Sequence, residues 1–156
     1  MADLKTAEEV FQVAMSMEKV GLDFYSALAN VSDHQDVRAF CSDAAKAEKD
    51  HYEAFHKMLE TWRRVHGHTP LAPEAIEKLL AGIKAKVVPN PKVVQQVALR
   101  GHAPEAMAMA LQMEQDSVEY YQDMLGLMPS LGAQIRPIIE EEKAHVRRIQ
   151  AFKLTD

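Results

Sequence analysis

The stretch AEKDHYEAFH, residues 47–56, decides how this chain is read. It holds Glu-x-x-His twice, as Glu48 with His51 and as Glu53 with His56. Side chains three apart on a helix share a face, so either pair could grip one cation. The motif alone is weak, because the Glu and His content of the chain gives about 0.6 such pairs by chance. Register separates the two. Stepping by four and three gives Val37, Cys41, Ala44, Glu48, His51, Phe55, Met58 and Trp62, an apolar seam that turns Glu48 and His51 inward. Glu53 and His56 fall with Lys46, Lys49, Lys57 and Glu60 on the solvated face.

The same stepping finds three more seams. Leu131, Ile135, Ile138, Glu142, His145, Ile149 and Phe152 again carry a Glu and a His three apart. Phe11, Ala14, Glu18, Gly21, Tyr25 and Leu28 are interrupted by one glutamate, as are Met107, Ala110, Glu114, Ser117, Tyr121 and Met124. The halves repeat: Glu18-x-x-Gly21-x-x-x-Tyr25 matches Glu114-x-x-Ser117-x-x-x-Tyr121, and Glu48 with His51 matches Glu142 with His145. A two-helix unit is used twice, with its polar residues near mid-helix, where all six can meet at one height.

The four seams predict helices over about 6–29, 34–64, 104–126 and 133–154. Thr6 and Glu9 suit a capping box, and Ser32 or Asp33 an N-cap for the second helix. Pro137 either marks the true start of the last helix or bends its first turn. The connection over about 65–102 is far longer than the few residues that join neighbours in an up-down bundle. It contains two short helical patterns, PEAIEKLLAGIK and NPKVVQQVAL, the latter with Asn90 as N-cap and Pro91 in first position. The expected fold is all-α, a ferritin-like four-helix bundle with one long crossover between the second and third long helices.

Composition agrees. Only 6 of the 156 residues are Gly and aromatics make up 6% against 47% hydrophobic, which favours helix, and the length suits a single domain over 1–156. A net charge of −5 with scattered basic residues argues against nucleic acid or an anionic membrane as partner. Cys41, the single cysteine, excludes an internal disulfide and is expected to pack in the core. No apolar run has membrane-spanning length and the first residues, MADLKTAEEV, lack a signal-type apolar segment; a cytoplasmic location is expected.

Four carboxylates buried together cost several kcal/mol per charge unless something neutralises them. Two divalent cations cancel four charges, and two neutral imidazoles complete the shells. A protonated or water-filled site is the other way to relieve the charge. With cations, the expected ligands are Glu18, Glu48, His51, Glu114, Glu142 and His145, with Glu48 and Glu142 the candidates for bridging and Glu18 and Glu114 for terminal ligands, roles that could be exchanged. One Glu from each of two helices and a Glu-x-x-His pair from each of two others is the donor pattern of di-iron and di-manganese carboxylate bundles. Iron or manganese suits this donor set, with zinc an alternative. Tyr25 and Tyr121, two turns from the single glutamates, are placed to hydrogen-bond ligand carboxylates.

In EKVGLDFY, AEKDH, EQDSVEYY and EEEKAH the chain resembles the rubrerythrin branch of the ferritin-like superfamily, over all of its length except the crossover. The resemblance implies a pair of iron ions and an oxidoreductase of peroxidase or ferroxidase type, reducing O2 or peroxide. Iron storage or buffering and a purely structural metal are the alternatives. Full rubrerythrins carry a rubredoxin domain with four cysteines; with one cysteine here, the electrons are expected from an external donor such as a rubredoxin-like protein. An additional glutamate that rubrerythrins usually offer beside the position of Glu114 is replaced by Leu111 or Ala110 and Ser117 or Val118. Lys49 stands where bacterioferritins have their haem-binding Met, so no haem is expected. A homodimer or higher homo-oligomer is the expected state.

Overall fold

The computed structural model describes residues 7–67, 72, 74, 75, 77, 78, 81 and 90–154. Among these it contains α1 (Ala7–Val31), α2 (Gln35–His66), α3 (Pro91–Arg100), α4 (Ala103–Leu127), a 3-10 turn (Pro129–Leu131) and α5 (Gly132–Ala151). No strand occurs among the described residues. At 1.5 Å per residue α2 is about 48 Å long, enough to run the whole bundle.

Two helical hairpins face each other, α1 against α2 and α4 against α5, with α3 laid on α1. Glu8 at the start of α1 pairs with Arg63 near the end of α2, and Tyr120 of α4 donates to the Val10 carbonyl at 2.8 Å. At the opposite end, the Asp33 amide donates to Gly101 O at 2.9 Å and Asp33 Oδ1 accepts from the Ala103 amide at 3.1 Å. The start of α4 therefore sits beside the α1–α2 turn, one bundle length from where α2 finishes. The two hairpins are thus joined with α4 starting at the end opposite to where α2 stops, which is the ferritin-like connectivity expected from the sequence. Gly101 makes this junction: its φ of 68° ends α3 in the left-handed region, and a Cβ there would lie 2.3 Å from Val31 O.

Boundaries differ in instructive ways. The N-cap of α2 is His34, whose Nδ1 accepts from the Val37 amide at 3.4 Å, rather than Ser32 or Asp33. Ser32 Oγ instead accepts from the His34 amide, and Asp33 is drawn away to the first turn of α4. Pro137 neither starts nor confines α5: five residues of helix precede it, led in by the 3-10 turn. Asn90 caps α3 as expected, accepting from the Lys92 amide at 2.9 Å. Thr6 of the expected capping box and most of PEAIEKLLAGIK lie outside the described residues.

Two apolar clusters fill the bundle. One gathers Phe11, Phe55, Tyr121, Met124 and Ile135 near the start of α1; the other gathers Phe24, Tyr25, Phe40, Met107 and Ile149, with Val94 and Val97 of α3. Between them lies a layer of buried polar side chains. No helix among the described residues is long and apolar enough to cross a membrane.

Candidate metal centre

The polar layer consists of Glu18 from α1, Glu48 and His51 from α2, Glu114 from α4, and Glu142 and His145 from α5, all buried, with Ser117 beside them. The apolar seams of the four helices deliver them: each residue sits one or two turns from core side chains of its own helix, so packing those side chains brings the six together at mid-bundle. Glu53 and His56 are exposed, and His56 does no more than approach Glu60 at 3.8 Å.

Two overlapping groups of donor atoms emerge. Atoms from Glu18, Glu48, His51 and Glu142 all lie within 4.8 Å of one another, and so do atoms from Glu48, Glu114, Glu142 and His145. Glu48 and Glu142 belong to both groups, whereas each remaining Glu and each His belongs to one. Both imidazoles turn Nδ1 inward: His51 Nδ1 is 2.7 Å from Glu142 Oε1 and 3.5 Å from Glu18 Oε2, and His145 Nδ1 is 3.4 Å from Glu114 Oε1.

These donors are not satisfied by one another. Among the described residues eight buried side-chain polar atoms lack a hydrogen bond, and seven belong to the six residues of this layer. They include both Glu142 oxygens and Nδ1 of each histidine. The contact of His51 Nδ1 with Glu142 is close but is not directed as a hydrogen bond requires. Buried polar groups are otherwise almost always partnered. Seven orphaned oxygen and nitrogen donors, arranged as two groups sharing two carboxylates, fit a pair of divalent cations.

The electrostatics carry the same message. Burial, followed by repulsion from Glu142, Glu18 and Glu114, holds the Glu48 carboxyl well above the usual range. Burial and then Glu114 and Glu18 do the same to Glu142. Burial opposes charge on His51, yet its contacts with Glu142 and Glu18 outweigh it and push the imidazolium up to about 11. Glu114 is likewise raised by burial, but Glu142, His145 and the Tyr25 hydroxyl together bring it below its ordinary value. Without a cation these surroundings favour protons on Glu48, Glu142 and His51, the groups that a bound cation would deprotonate.

Four further residues shape the layer. Tyr25 donates to Glu114 Oε1 at 2.7 Å and Tyr121 to Glu18 Oε1 at 2.5 Å, so each tyrosine reaches across to the glutamate of the opposite hairpin. Burial, and then the neighbouring carboxylates, push both phenols well above their ordinary value, leaving them as proton donors. Gly21 makes room for Glu48: a Cβ there would lie 3.0 Å from Glu48 Oε2 and 3.2 Å from its Cδ. Glu141 was not singled out by the sequence. It accepts from His51 Nε2 at 2.6 Å, although its own side chain is 58% exposed. The sequence repeat sets Glu141 opposite Ala47 and so gives no signal for it; the contact arises from the packing of α2 against α5. Cys41 is buried in the second apolar cluster, where burial pushes its thiol up to about 12, as suits a packing residue.

Comparison with known families matches the rubrerythrin family over residues 9–153. The match takes in all six residues of the layer and both tyrosines, and the chain belongs to the rubrerythrin family. Neither the curated proteins nor the solved structures give a match.

Proposed function

We propose that this member of the rubrerythrin family is a cytoplasmic di-iron oxidoreductase, one domain over residues 1–156, that reduces O2 or peroxide with electrons from an external donor such as a rubredoxin-like protein. The observation that carries this reading is the set of seven orphaned donor atoms on Glu18, Glu48, His51, Glu114, Glu142 and His145. Glu48 and Glu142, common to both groups, would be shared between two ions; Glu18 with His51 and Glu114 with His145 would complete one ion each. Carboxylate with imidazole suits iron, with manganese and zinc able to take the same donors.

An iron pair, when bound, would supply the two electrons that reduce peroxide to water or O2 to peroxide, the external donor restoring them. The chain's own residues do the rest. Burial keeps bulk water from the layer. Tyr25 and Tyr121 fix one oxygen each of Glu114 and Glu18, leaving the second oxygen free to ligate. The surroundings of Glu48, Glu142 and His51 favour protons there, which entering cations would displace. Gly21 leaves the Glu48 carboxylate space to occupy its place. A homodimer or a higher homo-oligomer is the proposed assembly.

Anaerobic titration with Fe2+ tests this, followed by O2 or peroxide and then a reductant. Two ions per chain, a ferric absorption band that appears with oxidant and bleaches with reductant, and repeated turnover are expected. Iron that binds but is not oxidised would leave a structural metal. Ferric ions accumulating far beyond two per chain inside a large shell would replace the redox role with storage.

A further inference from the structure

The two halves of the layer are related by the sequence repeat, but their histidines are held differently. His51 Nε2 donates to Glu141 at 2.6 Å, which leaves Nδ1 as the nitrogen facing the carboxylates. The repeat equates Glu141 with Ala47, so the position that would serve His145 carries a methyl group with no acceptor. His145 is held instead by packing: its ring stands edge-on to Phe40 at 5.9 Å, and the Arg148 guanidinium lies 4.9 Å over the same Phe40 ring. Both imidazoles turn Nδ1 toward carboxylates, but only His51 has its outer nitrogen fixed by a further carboxylate.

A carboxylate on the outer nitrogen of a ligating histidine makes the inner nitrogen more basic and prepays its orientation. We infer that the two cation positions are inequivalent, the group containing His51 binding a divalent ion more tightly than the group containing His145, with Glu141 as the positioning residue that creates the difference. This rests on the di-metal reading above and adds an order of loading: the His51 position fills first, and a singly loaded species is populated at substoichiometric metal. Because the Glu141 side chain is largely exposed, it can act on His51 without being part of the core.

Titration of the metal-free protein with Co2+, followed by ligand-field absorption and by calorimetry, tests the inference without any turnover. The parent is expected to bind two ions in two steps. Glu141→Ala should weaken the first step by about 10- to 100-fold, the range for loss of such a partner, and merge the two steps. Glu141→Gln keeps an acceptor for the Nε2 proton and should retain most of the separation. Ala47→Glu should strengthen the second step. In the Co2+ form, the shifted Nε2–H resonance of His51 should exchange with solvent faster in Glu141→Ala than in the parent, a change that loss of bundle stability alone would not confine to one histidine. Two equal steps in the parent, or a Glu141→Ala titration identical to it, would overturn the inference while leaving the di-metal centre standing. Equal weakening of both steps, with a lowered urea midpoint of the metal-free protein, would also overturn it, by making Glu141 a general structural residue. A parent that binds no ion would sink the inference together with the reading it rests on.

Discussion

Metal-free protein should lose stability as pH rises from 5 to 8, opposite to the usual behaviour of paired carboxylates. Glu48 and Glu142 have carboxyls raised by burial and then by their acidic neighbours. Above about pH 4.5 the unfolded chain has released these protons and the folded chain still holds them. Stability then falls by about 1.4 kcal/mol per pH unit for each proton held only when folded. His51 has the same sign: its folded value near 11 means that its contribution is complete below about pH 6.5 and declines toward 11. Glu114 is lowered and works the other way, losing its contribution as pH falls below about 4.5, so the maximum should lie close to pH 5. With a urea dependence of about 1–3 kcal/mol per molar, one such proton shifts the midpoint by roughly 0.5–1.4 M per pH unit. Urea unfolding in chelator, monitored by far-UV circular dichroism across this range, reads the slope directly. Glu142→Gln, which replaces a titrating group by a neutral one, should flatten it. A chelated protein whose midpoint stays level or rises between pH 5 and 8, or a Glu142→Gln variant with the parent's slope, would refute the idea that the cluster compensates its charge with protons.

Gly21→Ala separates helix propensity from ligand placement: it should stabilise the metal-free chain by up to about 1 kcal/mol. Its Cβ would crowd the Glu48 carboxylate and lower cation affinity in the same titrations; parent-like affinity would show that this carboxylate is free to relocate. Tyr25→Phe and Tyr121→Phe should each cost about 1–3 kcal/mol by leaving a buried carboxylate oxygen unpaired. Because the bonds cross between hairpins, a double-mutant cycle should couple Tyr25→Phe with Glu114→Gln by more than about 0.5 kcal/mol and couple it weakly with Glu18→Gln; the reverse pattern would contradict the crossed geometry.

How much of this was legible follows from what each residue's position depends on. Glu48 and His51 could be told from Glu53 and His56 because apolar periodicity alone sets which face of α2 is buried, and all six glutamates and histidines of the layer lie on such seams. Phe40 and Leu59 are also buried but flank the seam of α2, so single-line stepping passes over them. Asp33 reads as a local cap, but it is used 70 residues away at the start of α4, a contact that only the packing of α4 beside the α1–α2 turn creates. Glu141 lies on the exposed side of the seam next to Glu142, and only the approach of His51 from another helix gives it a role. The crossing of Tyr25 and Tyr121 is equally a property of the packed hairpins: each tyrosine is two turns from a glutamate of its own helix, yet bonds the other one.

The position of the polar layer determines what cation removal can do to the fold. It lies between two apolar clusters, and α1, α2, α4 and α5 each supply residues to both. Each fully buried Phe, Leu or Ile contributes about 1.5–3 kcal/mol, and both clusters are complete without a cation. A charged layer costing several kcal/mol can lower the stability of such a bundle without dissolving it, in contrast to a small module whose core is the metal itself. Because the same helices cross the layer, the halves should not melt separately. Stripped protein is therefore expected to keep its far-UV helical signal and to unfold in one transition at a lower temperature than the loaded form, with the gap widening as pH rises and cations compete better against protons. Collapse of helicity on chelation at pH 5, where the protonated cluster is most stable, would mean that the apolar clusters do not sustain the bundle and that the cation is its scaffold.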